Sequence, residues 1–235
     1  MATTPQLALD LALEPDYRPE SFAVSDANAS ALALVNRWPR WRLGHLVLTG
    51  PAGSGKTHLA HMWRQRTGAR PVDRLAISGA LKSIQRGASV VIEDCDRGLD
   101  EVGLFHLLNR AAGDSGISVL MTGRLPARSW PMGLPDLASR LSAAEAAFLD
   151  EPDDALLRQV LEKLFRDRRT PLSPGILDYL LTRMERSVDF ARLLVARLDN
   201  AALAAKGAVT RPLARDVLAG LSADITPDQE PDVRS

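Results

Sequence analysis

The sequence predicts an α/β fold, a parallel sheet with helices on both faces, followed by a small all-helical domain. Three observations carry this. Short apolar runs of strand character, HLVLTG (45–50), ASVVIE (88–93) and ISVLMTG (117–123), alternate with stretches of helical period, the pattern of parallel strands joined by crossover helices. After Pro152 the strand-like runs vanish and only helical stretches follow. The chain has 235 residues, 46% hydrophobic and 25% charged, which is enough apolar surface for a substantial core.

Taken in order, residues 1–20 read as a flexible tail, 21–150 as the α/β domain, 151–222 as the helical domain and 223–235 as a polar end. The first strand runs into the helical stretch THLAHMWRQRTG, and DEVGLFHLLNRAAGDSG separates the other two strands. Each helical stretch ends at a glycine, a common stop signal. The later stretches are DDALLRQVLEKLFRDRR, SPGILDYLLTRM, SVDFARLLVARLDNAALAAKG and TRPLARDVLAGL. In the longest, Ala191, Leu194, Leu198 and Ala202 share one face. Ser187 and Thr210 stand at N-cap positions, and Pro212 sits where a helix start tolerates it.

Composition narrows the function classes. Twenty-nine Lys+Arg balance 29 Asp+Glu, which disfavours a globally basic nucleic-acid binder. No apolar run approaches the roughly 20 residues of a membrane span. The opening MATTPQLALDLALEPD lacks a basic n-region and a cleavage signal. Cys95 is the single cysteine, which suits a reducing compartment, so a cytoplasmic protein is expected.

The strongest motif is Gly50-Pro51-Ala52-Gly53-Ser54-Gly55-Lys56-Thr57, which fits G-x-x-x-x-G-K-[ST] between a strand and a helix. That context aims consecutive backbone N–H groups and a helix N-terminus at a polyphosphate, such as that of ATP or ADP. Lys56 would reach the outer phosphates and the Thr57 hydroxyl would ligate Mg²⁺. His58 and His61 follow on the helix as packing candidates, and His58, next to the cradle, is also a candidate nucleotide-binding residue. No zinc spacing is present.

The second predicted strand ends in Glu93-Asp94, as required of an acid that holds Mg²⁺ and polarises a water. Either carboxylate could face the metal, Asp96 is a third candidate, and neighbouring strand side chains diverge. Cys95, between acids, is expected to have a raised pKa and to pack instead of react.

With these motifs the chain resembles the AAA+ core of the DnaA initiator family, and within it the regulatory relatives that lack a DNA-binding domain. The resemblance is carried by Tyr17, Phe22, Val24 and Asn28, then GPAGSGKTHLAHMW, the strand ending Glu93-Asp94, LMTGRLP, and LPDLASRLSAA. It implies an α/β nucleotide-binding domain and a helical lid, with ATP or ADP held at a protomer interface and Phe22 and Val24 on the adenine side. It places Arg140 as an arginine finger acting in a neighbour's site, a role worth orders of magnitude in rate. At the sensor 1 position only Thr122-Gly123 is offered, so the Thr122 hydroxyl remains and weak intrinsic hydrolysis is expected. At the sensor 2 position stands Asp189; Arg186 or Arg192 could substitute, or Asp189 could hold one of them in a surface ion pair.

The sequence carries no counterpart of the initiators' helix-turn-helix domain, so direct sequence-specific DNA binding is not expected. Gln6-Leu7-Ala8-Leu9-Asp10-Leu11 resembles the hexapeptide with which bacterial proteins dock on the β sliding clamp of DNA polymerase III. Leu7, Leu9 and Leu11 would enter apolar pockets while Gln6 fixes register. The resemblance thus implies a regulator that docks on the clamp and presents Arg140 to the ATP of the DnaA initiator; a homo-oligomer is a further possible assembly. Two rivals stay open: an autonomous helicase-loader-type ATPase and a P-loop small-molecule kinase.

Overall fold

The computed structural model describes residues 17–225, which form two compact units, 17–156 and 157–225. The first unit begins with a 3-10 turn at Pro19–Ser21 and helix α1 (Asp26–Asn36). Ser25 and Asn28 close a capping box at its start: the Ser25 hydroxyl accepts from Ala27 N–H at 3.2 Å and the Asn28 carboxamide accepts from Ser25 N–H at 3.1 Å. Then follow β1 (His45–Thr49), α2 (Lys56–Thr67), β2 (Arg70–Pro71), α3 (Ile77–Ala80), β3 (Ser89–Ile92), α4 (Glu101–Ala112), β4 (Ser118–Gly123), α5 (Pro135–Ser142) and β5 (Glu145–Phe148).

The strands form one sheet in the order β2-β3-β4-β1-β5, every pair parallel. β1 and β4 are buried along their whole length, which is why they read as unbroken apolar runs. Alternation assigns the two faces. Leu46 and Leu48 of β1, with Val91 and Leu120, pack against Val35 of α1 and Leu59 and Trp63 of α2. Val47, with Ile92 and Met121, packs on the other side against Leu104 and Leu108 of α4 and Leu137 and Leu141 of α5. Burying one such leucine stabilises the fold by roughly 1.5–3 kcal/mol.

The structure adds two strands the sequence pattern does not disclose. β2 is two exposed residues, Arg70 and Pro71, and β5, Glu-Ala-Ala-Phe, buries only Ala147. Neither offers the β-branched apolar run by which a strand is read.

The second unit holds most of α6 (Asp154–Arg168), then α7 (Ile176–Leu181), α8 (Val188–Ala204) and α9 (Arg211–Ile225). Its core is made by Leu161 and Phe165, Leu180, the α8 stripe Ala191, Leu194, Leu198 and Ala202, and Leu221. Ser187 caps α8, its hydroxyl accepting from Phe190 N–H at 3.2 Å. Among the described residues no helix is long and apolar enough to cross a membrane.

Candidate functional site

The parallel strands of the first unit send their C-terminal ends to one edge, the edge at which open α/β sheets bind ligands. There β1 passes through residues 50–55 into α2. Gly50 sits at φ +155°, and a Cβ there would lie 2.4 Å from the Leu149 carbonyl oxygen and 3.0 Å from Ser54 Oγ. Only glycine lets the chain pass beside β5's continuation at this point. Gly55, at φ +99°, is the N-cap of α2, and no side chain caps that end. The first N–H groups of a helix have no intrahelical partner, so they point into the loop as donors for an anion.

Lys56 is buried at the loop, its Nζ donating to the carbonyl oxygens of Gly50 at 2.8 Å and Pro51 at 2.6 Å. Ser54 Oγ is buried with no hydrogen-bond partner among the described residues. Thr57, by contrast, is exposed in the first turn. A cation held against backbone carbonyls, an uncapped helix start and an orphaned hydroxyl are a donor set that fits a nucleotide's polyphosphate.

The aromatic residues before α1 are tied to α2. Tyr17 stacks on His61 at 4.1 Å and meets His58 edge-on at 5.6 Å, and Phe22 meets His58 edge-on at 5.1 Å. His58, buried, also places Nε2 3.2 Å from the Arg18 carbonyl oxygen. Phe22 Cε2 comes within 3.7 Å of the Cβ position at Gly55. His58 thereby anchors the segment that carries Phe22 beside the cradle. Val24 is 45% exposed. Asn28 is buried and committed, donating to the Ala23 carbonyl at 2.9 Å as well as serving the capping box.

At the end of β3 the two carboxylates part. Continuing the strand's alternation, Glu93 falls on the face of Val91, the face that carries α2. Asp94 turns into the left-handed region, φ 54° and ψ 40°, its N–H donates to Thr122 Oγ1 at 3.1 Å, and its carboxylate stands 3.9 Å from Arg97. Glu93 and Asp94 line a cleft of about 290 Å³ with Asp73 and Arg74. Asp96 is half committed: its Oδ2 accepts from Arg124 N–H at 2.8 Å and Leu125 N–H at 3.2 Å, while its Oδ1 is buried without a partner among the described residues. Cys95 is buried, and its thiol is pushed up to about 12, by burial above all and only secondarily by Asp96 and Asp94. The neighbouring acids are therefore the lesser reason for its inertness.

Thr122, 1% exposed, holds the Asp94 main chain. Gly123 has no room for a side chain, since a Cβ would meet the Trp130 indole at 2.9–3.1 Å. The place of a larger polar residue at the end of β4 is filled by Trp130, whose Nε1 donates to the Leu125 carbonyl at 2.8 Å.

Arg140 lies in the last turn of α5. Its Cζ is 5.8 Å from the Phe105 ring centroid, and its Nε is buried without a partner among the described residues. Its terminal nitrogens make no hydrogen bond or ion pair to those residues. Its charge is one cause that lowers the pKa of His45, after burial. His45 opens β1 and the cradle follows the strand's other end; five residues at ~3.3 Å each separate them, roughly 16 Å. The last turn of α5 leads into β5, whose Glu145 pairs with Leu46, so Arg140 lies toward the start of β1, at the edge opposite the cradle.

In the second unit Asp189 pairs with Arg192 at 3.0 Å, and Arg186 directly precedes the Ser187 cap. Residues Gln6, Leu7, Leu9 and Leu11 lie outside the described residues. Among the described residues no three His, Cys, Asp or Glu side chains gather as a metal site.

A comparison with protein families finds no match. Solved structures resemble the chain in shape. Domain III of the Thermotoga maritima replication initiation protein DnaA superposes with a TM-score of 0.71 at 18% identity, over 88% of this chain and 98% of that one. A single-substitution variant of Thermotoga maritima RuvB gives 0.65 at 16% over 83% of this chain and 67% of that one. A replication initiator DnaA bound to AMPPCP and single-stranded DNA gives 0.62 at 17%, over 78% of this chain and 65% of that one. The architecture is the AAA+ one, a parallel five-stranded P-loop sheet with helices after it.

Proposed function

We propose that the chain is a nucleotide-bound AAA+ regulator of replication initiation, of the Hda type, that stimulates ATP hydrolysis by the DnaA initiator. The observation that carries the reading is the position of Arg140: a guanidinium with unengaged terminal nitrogens in the last turn of α5, which leads into β5 beside the start of β1, the end of the strand opposite its own phosphate cradle. At that end of the sheet it stands away from its own nucleotide and suits a phosphate carried by another molecule. A guanidinium delivered in trans neutralises charge that builds on the transferring phosphoryl group.

The cradle supports a holding role. Residues 50–57 bind the phosphates of ADP or ATP, Phe22 and Val24 flank the base, and Thr57 with Glu93 or Asp94 holds Mg²⁺. The bound nucleotide supplies a fixed negative charge and the metal its counter-charge; the protein supplies donors and shape. Thr122 is occupied with the Asp94 main chain and Trp130 fills the space beyond Gly123, which favours retention over turnover. Arg192, paired to Asp189, would have to leave that carboxylate to serve as the missing sensor. The tail residues Gln6, Leu7, Leu9 and Leu11 dock on the β clamp, which brings the regulator to loaded DNA. Likeness to DnaA domain III supports the choice of partner.

The test is phosphate release from initiator loaded with ³²P-labelled ATP, with clamp on DNA and this protein with ADP. Wild type accelerates release, Arg140→Ala reduces the acceleration by at least ~100-fold, and deletion of residues 1–12 removes its dependence on clamp. Brisk ATP turnover by the isolated protein would instead support a helicase-loader-type ATPase.

A further inference from the structure

Two buried polar atoms, on the face of the sheet covered by α4 and α5, lack hydrogen-bond partners among the described residues, and they complement each other. The first is Nε2 of His45. His45 is fully buried at the start of β1, and strand alternation puts it on the face of Val47. Its Nδ1 lies 2.9 Å from the Leu43 carbonyl oxygen. A carbonyl only accepts, so Nδ1 carries the proton. Burial keeps the ring neutral, which leaves Nε2 a bare lone pair. The second atom is Nε of Arg140, a donor that is never deprotonated. Phe105 of α4 lies beneath its guanidinium, and Leu141, its neighbour on α5, packs into the same core as Val47. Buried polar atoms left unpaired are rare because each is costly. The register brings them to the same end of the sheet, since Leu46, next to His45, pairs with Glu145, five residues after Arg140, so a bare acceptor and a bare donor there can satisfy each other.

We propose that His45 is the positioning residue of Arg140: its Nε2 lone pair accepts the Arg140 Nε–H, directly or through a water, and with Phe105 fixes the plane of the guanidinium. Only the inner nitrogen is used in this way. The terminal amino groups, which form the two-pronged edge that matches a phosphate, are left for the partner's nucleotide. The tautomer matters, since an imidazole protonated at Nε2 would face the guanidinium with a second donor. The Leu43 carbonyl thus sets, through the ring, how the finger is presented. This inference rests on the trans-acting role of Arg140 and names the residue that prepares it.

The experiment has two arms on the full chain. In the first, nitrogen NMR of protein labelled in histidine reads both ring nitrogens of His45 without any partner. The expected result is an Nδ1–H tautomer whose Nε2 resonance moves on Arg140→Ala while Nδ1 holds; an Nε2 resonance indifferent to that substitution overturns the pairing. The core of β1 is untouched in this arm. In the second arm, phosphate release from labelled initiator compares His45→Gln, which keeps an acceptor, with His45→Leu, which does not. His45→Leu should lower the maximal stimulated rate by about tenfold or more at unchanged half-saturation, and His45→Gln should stay within about threefold of wild type. Equal rates for the two variants overturn the inference. Full stimulation by Arg140→Ala would overturn the trans-acting role itself, and is told apart because the NMR arm decides the pairing independently.

Discussion

Gly50→Ala and Gly55→Ala each put one methyl group in place of a hydrogen in the same loop, yet the structure assigns them different costs. At Gly50 the new Cβ would sit 2.4 Å from a backbone oxygen, that of Leu149, and 3.0 Å from Ser54 Oγ, at φ +155°. Backbone cannot swing aside as a side chain can, so the chain after β5 must separate from the end of β1. Overpacking of this kind costs about 1–3 kcal/mol and the strained φ about 1–3 kcal/mol more. The sum, about 2–6 kcal/mol, is a large part of the ~5–15 kcal/mol that holds a domain folded. At Gly55 the nearest atoms are ordinary contacts, Phe22 Cε2 at 3.7 Å and Leu149 Cδ2 at 4.0 Å, so only the strain at φ +99° remains, about 1–3 kcal/mol. Thermal melts should therefore show Gly50→Ala roughly 8–15 °C below wild type and Gly55→Ala only a few degrees below. ADP titration of the folded Gly55→Ala protein should still show weakened binding, because the helix start that faces the phosphates is what moves. A Gly50→Ala protein that melts within ~2 °C of wild type, or a Gly55→Ala protein that melts lower than Gly50→Ala, would contradict this order of costs.

Other consequences follow from particular side chains. Lys56→Ala should weaken ADP binding by about 100-fold in calorimetric titration, since a charge-assisted contact to the phosphates is lost. His45, whose pKa burial holds below the ordinary value, stays neutral in the native state while the unfolded chain takes up a proton near pH 6.5. Stability should accordingly fall as pH drops below ~6.5, by up to ~1.4 kcal/mol per unit until the lowered native pKa is reached, and His45→Gln should remove that component of the urea-denaturation profile. Ser187→Ala should cost the helical unit about 1 kcal/mol, read as faster amide exchange in α8, because Phe190 N–H loses its acceptor. Cys95, buried with its thiol pushed up to about 12, should resist a disulfide reagent at pH 8 until the protein is unfolded.

The parts of the molecule legible in the sequence are those in which local pattern and tertiary burial agree. β1, β3 and β4 lie within one residue of the runs 45–50, 88–93 and 117–123, because a central parallel strand must be apolar on both faces. The α8 stripe Ala191, Leu194, Leu198 and Ala202 is buried as its period requires. β2 and β5 are not legible because pairing, not composition, makes them strands: Arg70 and Pro71 join the sheet only through Val90 and Val91. The phosphate loop can be read because its glycines answer to backbone geometry within a few residues. The commitments of Asn28 to the Ser25 cap, of Thr122 to Asp94 and of Asp96 to the 124–125 turn cannot, since each depends on which polar group the fold brings beside it. His45 is invisible for the same reason; a lone histidine in an apolar run acquires meaning only when residues of α5 share the core on its face of the strand.

Central to this mechanism is that the chain holds its own nucleotide while its guanidinium acts on another's. The measurement that tests it most directly places the ³²P label first on one protein and then on the other, each preloaded and mixed on clamp-loaded DNA within a single turnover. Label should leave the initiator at the stimulated rate while label on this chain is retained. Release from this chain at the stimulated rate, with the initiator's label intact, would contradict it.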